Sequence, residues 1–169
     1  MRRLALATLA AALMAGAAHA APAEVARAYA APDSPIAVAV TVPPGYGTVY
    51  VSGTTAGVSD PSAPKGSVAA YGSTAVQTES AIKRIQAALQ AQGLDLGDIV
   101  SMRVYLVGDP ATGGVMDFKG MMAAYSKHFG TPDQPNRPSR TTVQVSNLVA
   151  PGLLVEIETV AAKPPVRGL

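Results

Sequence analysis

The sequence predicts a single α+β domain: a mixed β-sheet with two helices packed on one face. Three observations carry this. The hydrophobic period switches between two and 3.6 in the order strands, helix, strand, helix, strands. Each strand-like run is bounded by glycine and proline. No repeat or second composition regime divides the 169 residues, a length that suits one domain with a substantial core.

Taken in chain order, residues 1–20 are an export signal. Met1, Arg2 and Arg3 form a short positive start, Leu4–Ala17 an apolar stretch, and Ala18-His19-Ala20 a small-x-small cleavage pattern. The apolar stretch is too short to span a bilayer, and no other run is longer, so no membrane partner is expected after cleavage. Cleavage after Ala20 makes the expected location periplasmic or secreted. Residues 21–33 are Ala-rich and read as a loosely held leader, and 34–162 as the domain.

Within it, "IAVAVTV" (36–42) is a strand, "VPPGYG" (42–47) a turn, and "TVYVSG" (48–53) a second strand. Residues 54–66 are a Gly/Pro/Ser loop with room for a short strand at its beginning. Residues 72–92 form the first helix, with Ile82, Ile85 and Leu89 on one face and Val76 and Ala81 beside it. Glu79 and Lys83 pair at i, i+4, and Gly93 ends the helix in a left-handed conformation. "IVSMRVYLV" (99–107) alternates as a half-buried strand. A loop over 108–115 leads to a second helix at 115–128 with Phe118, Met121, Met122 and Tyr125 at helical spacing. After the proline-punctuated loop 130–138, strands follow at 139–146 and 153–161, and 163–169 is a disordered tail. In the last two strands Arg140 and Thr142 share a polar side, as do Leu154, Glu156, Glu158 and Val160. That mixed second face suits a subunit interface with polar pockets.

Composition removes several function classes. Of 13 basic and 11 acidic residues, Arg2 and Arg3 leave with the signal, so 11 face 11 and no nucleic-acid surface is expected. The chain has no cysteine, hence no disulfide framework. His128 is the one histidine after Ala20 and is read as a helix-end residue favourable to the dipole, so neither a metal site nor a histidine-based triad is expected. The glycines at 45–47 and 53–57 lie in turn contexts rather than opening a helix, which argues against a phosphate loop. What remains is "NRPSRTTVQV" (136–145), whose Arg137 and Arg140 bracket Pro138 before a strand, and Glu156 on the strand next to it. Arg140 with Glu156 is either a structural ion pair or a carboxylate fork with a water-holding glutamate beside it.

"VYVSG" (49–53), "AIKRIQAALQAQGLDLGDIVSMRVYLVGD" (81–109), "PSRTTVQVSNL" (138–148) and "LLVEIETVA" (153–161), in that order, resemble the Rid (YjgF) family of reactive-intermediate deaminases from Ser34 to Ala161. The resemblance implies a chorismate-mutase-like fold, a homotrimer with sites between subunits, and hydrolysis of 2-imino or enamino acids to 2-keto acids and ammonia without cofactor or metal. It implies that Arg140 clamps the substrate carboxylate, that Glu156 positions water, and that Ser52 and Gly53 line the substrate site. Three positions depart from the family pattern. Ile36 replaces a tyrosine, Met122 an asparagine and Thr142 a cysteine, which makes the substrate pocket more apolar. A non-catalytic trimeric module that binds a small ligand or partner is the alternative to a hydrolase. The family has also been labelled endoribonuclease, which the balanced charge and absent histidine pair disfavour.

Overall fold

The computed structural model describes residues 23–165. The expected signal peptide and residues 166–169 of the expected tail lie outside them. The strands are β1 (Ala26–Ala28), β2 (Ala39–Thr41), β3 (Gly47–Thr55), β4 (Ile99–Val107), β5 (Ser139–Val145) and β6 (Val155–Lys163). The helices are α1 (Val68–Tyr71), α2 (Thr74–Gln90) and α3 (Phe118–Tyr125). The main sheet runs β3-β6-β4-β5, with β4 and β5 parallel and the other pairs antiparallel. This mixed sheet, with α2 and α3 on one face, is the expected α+β architecture.

The core lies between helices and sheet. Ala81, Ile82, Ile85 and Leu89 of α2 pack with Met102, Val104 and Leu106 of β4 and Val155 and Ile157 of β6. Period-two burial along β4 and β6 sends every second side chain to this layer. Leu154, expected on the opposite face, is buried with the core, because the strand begins at Val155, two residues later than expected, and Leu154 N is held by Gln77 of α2. Val76 is exposed, so the apolar face of α2 is narrower than its sequence suggests. The buried polar Gln77 occupies the turn that Val76 does not. Its amide donates to Gly72 O and Gly152 O, both at 2.9 Å, and accepts from Leu154 N at 2.8 Å. Gln77→Leu therefore leaves one buried and two half-buried backbone groups without this partner. We expect it to lower unfolding free energy by about 3 kcal/mol in a denaturant titration.

Several boundaries differ from expectation for local reasons. Residues 23–33 of the expected leader pack onto the domain: Val25, Arg27 and Tyr29 alternate inward, and β1 pairs with β2. Arg27 donates to Gly97 O at 2.9 Å and Ile99 O at 3.2 Å. The strand expected at 36–42 shrinks to Ala39–Thr41 because this segment crosses between two partners. Ala37 N bonds Pro138 O at the edge of β5, and Val38 N bonds Ala28 O of β1. Strand β3 runs on to Thr55 into the expected loop, and β6 runs through Lys163 into the expected tail. Gly72, at φ +87°, separates a short α1 from α2; a Cβ there would lie 2.6 Å from Val76 Cγ1. Helix α3 is shorter than 115–128 because Asp117 caps it, accepting from Gly120 N at 2.8 Å. Gly93 does take a positive φ, and Leu94 N reaches back to Leu89 O.

Candidate active site

The two arginines around Pro138 have different fates. Arg137 is consumed by structure. Its guanidinium lies 4.2 Å from the Tyr29 ring centre and donates to Pro32 O at 3.0 Å and to Ser34 O. It ties the amino-terminal segment to the loop before β5. Arg140 has no such ties.

Register places Arg140 beside Met102, whose side chain is buried in the helix-facing layer. Arg140 and Thr142 therefore face α3, not the open face on which the sequence set them. The guanidinium carbon lies 4.3 Å from the Tyr125 ring centre and 5.9 Å from that of Phe118. Its nitrogens approach Met122 Sδ at 3.2 Å and Met121 Sδ at 3.9 Å. Among the described residues no carboxylate pairs with it. Burial lowers the Arg140 pKa from its ordinary value, and Tyr125 partly offsets this; a guanidinium stays charged regardless. Burial also pushes the Tyr125 hydroxyl up to about 12, with Arg140 and Arg137 pulling the other way. Tyr125 is thus a neutral phenol donating to Pro35 O at 3.0 Å. The result is a half-buried cation held on aromatic and thioether surfaces, none of which neutralises it.

A cleft of about 430 Å3 at the edge of β5 is lined by Ile36, Val38, Ser101, Arg103, Ser139, Arg140 and Thr141, and by none of the α3 side chains that touch the guanidinium. Met122 touches the cation through its sulfur, and Ile36 lines the cleft. The Thr142 hydroxyl lies on the same side but is fully enclosed and unpaired, so it backs the cleft without opening into it.

Glu156 stands elsewhere. It pairs in register with Tyr105 and with Thr55, between the inward-facing Val155 and Ile157. Its side chain is on the open face of the sheet, opposite to Arg140. The two cannot meet within one chain, so both readings that joined them in a single chain are corrected. The adjacent Glu158 forms the ion pair on this face, with Arg103.

Around Glu156 the fold builds a separate feature on the open face. A register break between Val51 and Thr54 bulges Ser52 and Gly53 out of the β3–β6 ladder. Thr54 Oγ1 donates to Ser52 O at 2.9 Å, and Ser52 lines an open hollow along β3. The Glu156 carboxylate lies directly over Gly53: a Cβ there would fall 1.9 Å from Oε1. Gly53 has no positive φ, so alanine suits the backbone and only the glutamate must move. Gly53→Ala is expected to displace that carboxylate and to lower the melting temperature, and adding Glu156→Ala should restore the stability. An unchanged melting temperature in the single variant would refute the contact.

His128 accounts for no chemistry here. Its Nε2 lies 2.9 Å from Glu79 Oε2, and Glu79 also pairs with Lys83 at 3.1 Å, tying α2 to the end of α3. Among the described residues no group of three or more His, Cys, Asp or Glu could hold a metal, and no helix is long and apolar enough to cross a membrane. The sequence missed Phe118 and Tyr125 as neighbours of the cation. Their helical spacing with Met121 and Met122 was visible, but not the strand that this stripe would face.

Comparison with known proteins adds the lineage. Over 87 residues the chain is 34% identical to the RutC family protein PH0854 of Pyrococcus horikoshii, covering 52% of this chain and 60% of that protein. The chain thus spans less than two thirds of that curated relative. A protein of unknown function from Pseudomonas aeruginosa, PA3499, matches at 29% identity and TM-score 0.52, over 82% of this chain and 92% of its own. The Yersinia pestis protein YyfB, described as a member of the conserved Rid family, shares the fold at TM-score 0.56 and 21% identity, over 75% and 86% of the two chains. The family model described as Endoribonuclease L-PSP matches residues 31–163. With four-fifths of its length inside that match, the chain belongs to the endoribonuclease L-PSP family.

Proposed function

We propose that the protein hydrolyses 2-imino acids, or their enamine tautomers, to 2-keto acids and ammonia, at sites completed between copies of the chain. One observation carries this reading: Arg140 is a half-buried cation beside a cleft, with no carboxylate among the described residues to neutralise it. A planar guanidinium of this kind fits a substrate carboxylate through two parallel hydrogen bonds.

The rest of the mechanism follows from the split geometry. Arg140 of one copy holds the carboxylate, and Glu156 of a second copy, seated over Gly53, orients a water toward the imine carbon. Water adds to the C=N bond to give a carbinolamine. Proton transfer to nitrogen then lets the C–N bond break, releasing ammonia and the keto acid. The exposed face bearing Glu156, Tyr50 and Val143 is the surface on which copies would meet, and a closed ring of three uses each half-site once. Positioning and one general base are worth roughly 10²–10⁴ in rate, enough for a reaction that already proceeds in water.

Coupling the purified protein to an amino-acid oxidase and following loss of the imine tests this. Acceleration over buffer supports it; none, with a folded oligomer, leaves a carboxylate-binding module. Met122 and Ile36 favour that second reading, since both are apolar where the cation meets its ligand. The export signal read in the sequence sets the proposed activity outside the cytoplasm, and a mature chain beginning at Ala21 in the periplasmic fraction is the expected result.

A further inference from the structure

We propose that Met122 is a site of reversible oxidation by hydrogen peroxide, and that its sulfoxide occupies the Arg140 guanidinium and weakens acid binding there. The oxidation stands on the placement of the sulfur; its effect on activity rests on the reading of Arg140 as the carboxylate clamp.

Met102, Met116, Met121 and Met122 are the methionines among the described residues. Met102 and Met121 are 2% and 0% exposed and closed to solvent. Met116 and Met122 are half-buried, and it is Met122 whose sulfur lies 3.2 Å from an Arg140 nitrogen. A thioether is a weak acceptor, so that contact holds the guanidinium loosely. Divalent sulfur has two lone pairs, and one is left when the other faces the N–H.

The step is a two-electron oxidation. The free lone pair attacks one peroxide oxygen, an S–O bond forms and the O–O bond breaks. The departing hydroxide takes up the remaining hydroxyl proton and leaves as water, and sulfur becomes the sulfoxide. Its strongly dipolar S–O bond makes that oxygen a far better acceptor than the thioether. Flexible torsions let the side chain turn the oxygen onto the guanidinium, and a charge-assisted hydrogen bond replaces a weak one. No carboxylate among the described residues competes for those donors. An incoming acid must first break this bond, which lowers its affinity by about tenfold. Oxidant and substrate also share a source. An oxidase that makes an imine from an amino acid and oxygen releases one hydrogen peroxide per imine, so the by-product of substrate supply is the reagent that closes the site.

The test exposes purified, full-length protein to hydrogen peroxide and quenches with catalase. Peptide mass spectrometry locates the added oxygen, and calorimetry measures pyruvate binding before and after. Met122 should gain oxygen ahead of Met102 and Met121, and pyruvate affinity should fall about tenfold. A methionine sulfoxide reductase should restore it. Met122→Leu should keep its own starting affinity through the treatment, and Met116→Leu should respond as wild type does. Oxygen confined to Met116 overturns the modification site. Met122 sulfoxide with unchanged pyruvate affinity overturns the blockade, as does a loss that Met122→Leu does not prevent. The full response in a protein that never hydrolyses an imine upholds this inference and removes the hydrolase. Untreated protein that binds no pyruvate removes the carboxylate clamp and the blockade together.

Discussion

Arg140→Ala is expected to reduce kcat/KM for imine hydrolysis by about a thousandfold while leaving the protein folded. The loss is the removal of a bidentate, charge-assisted contact that orients the reacting carbon as well as binding it. The retained fold follows from what surrounds the residue. Breaking a buried ion pair strands the surviving charge and costs several kcal/mol, but Arg140 has no charged partner among the described residues to strand. Its neighbours are two thioethers and two aromatic rings, which repack around alanine or water at small cost. Relief of the desolvated cation offsets the lost contact with Tyr125. Melting temperature should therefore stay within a few degrees of wild type while turnover collapses. Arg140→Lys should recover only a small part, since an ammonium supplies charge without the fork. A variant that melts normally and turns over at the wild-type rate would remove Arg140 from the site.

What the sequence made legible, and what it did not, divides along a physical line. Patterns carried within one element survived. The alternation of Ile99–Val107 is the alternation of β4, the stripe of Ile82, Ile85 and Leu89 is the buried face of α2, and Glu79 does pair with Lys83. Information that depends on which neighbour an element meets did not. Arg140 and Thr142 look outward-facing because β5 alternates polar with apolar residues, yet the polar set is the one turned to α3. An edge strand partly covered by a short helix tolerates arginine and threonine on its inner side, and Thr141 and Val143 are left exposed on the outer side. The leader was misjudged for a similar reason: its inward residues include Arg27, whose partners are backbone carbonyls seventy residues away. Arg137 and Arg140 are also alike in local sequence. Both lie over a tyrosine ring, and it is the Pro32 and Ser34 carbonyls, brought by the amino-terminal segment, that make Arg137 the structural one.

The separation of Arg140 from Glu156 leads to the second large effect. If each site takes its guanidinium from one copy and its carboxylate from another, two inactive variants must rescue each other. Arg140→Ala and Glu156→Ala, each inactive alone, should regain activity when unfolded together in equal amounts and refolded. In a ring assembled at random, a site works when its arginine comes from a Glu156→Ala chain and its glutamate from an Arg140→Ala chain. That is about a quarter of all sites, so about a quarter of wild-type turnover should return. A chain carrying both substitutions, mixed with wild type, controls for dilution. Sheet geometry makes the outcome decisive, because one residue shares the face of Met102 and the other that of Tyr105, and no rotamer carries either side chain through the sheet. Co-folded variants that assemble yet remain silent would mean that the two residues never serve the same substrate. The glutamate over Gly53 would then be a structural neighbour of the bulge, and Arg140 alone would be left to hold the acid.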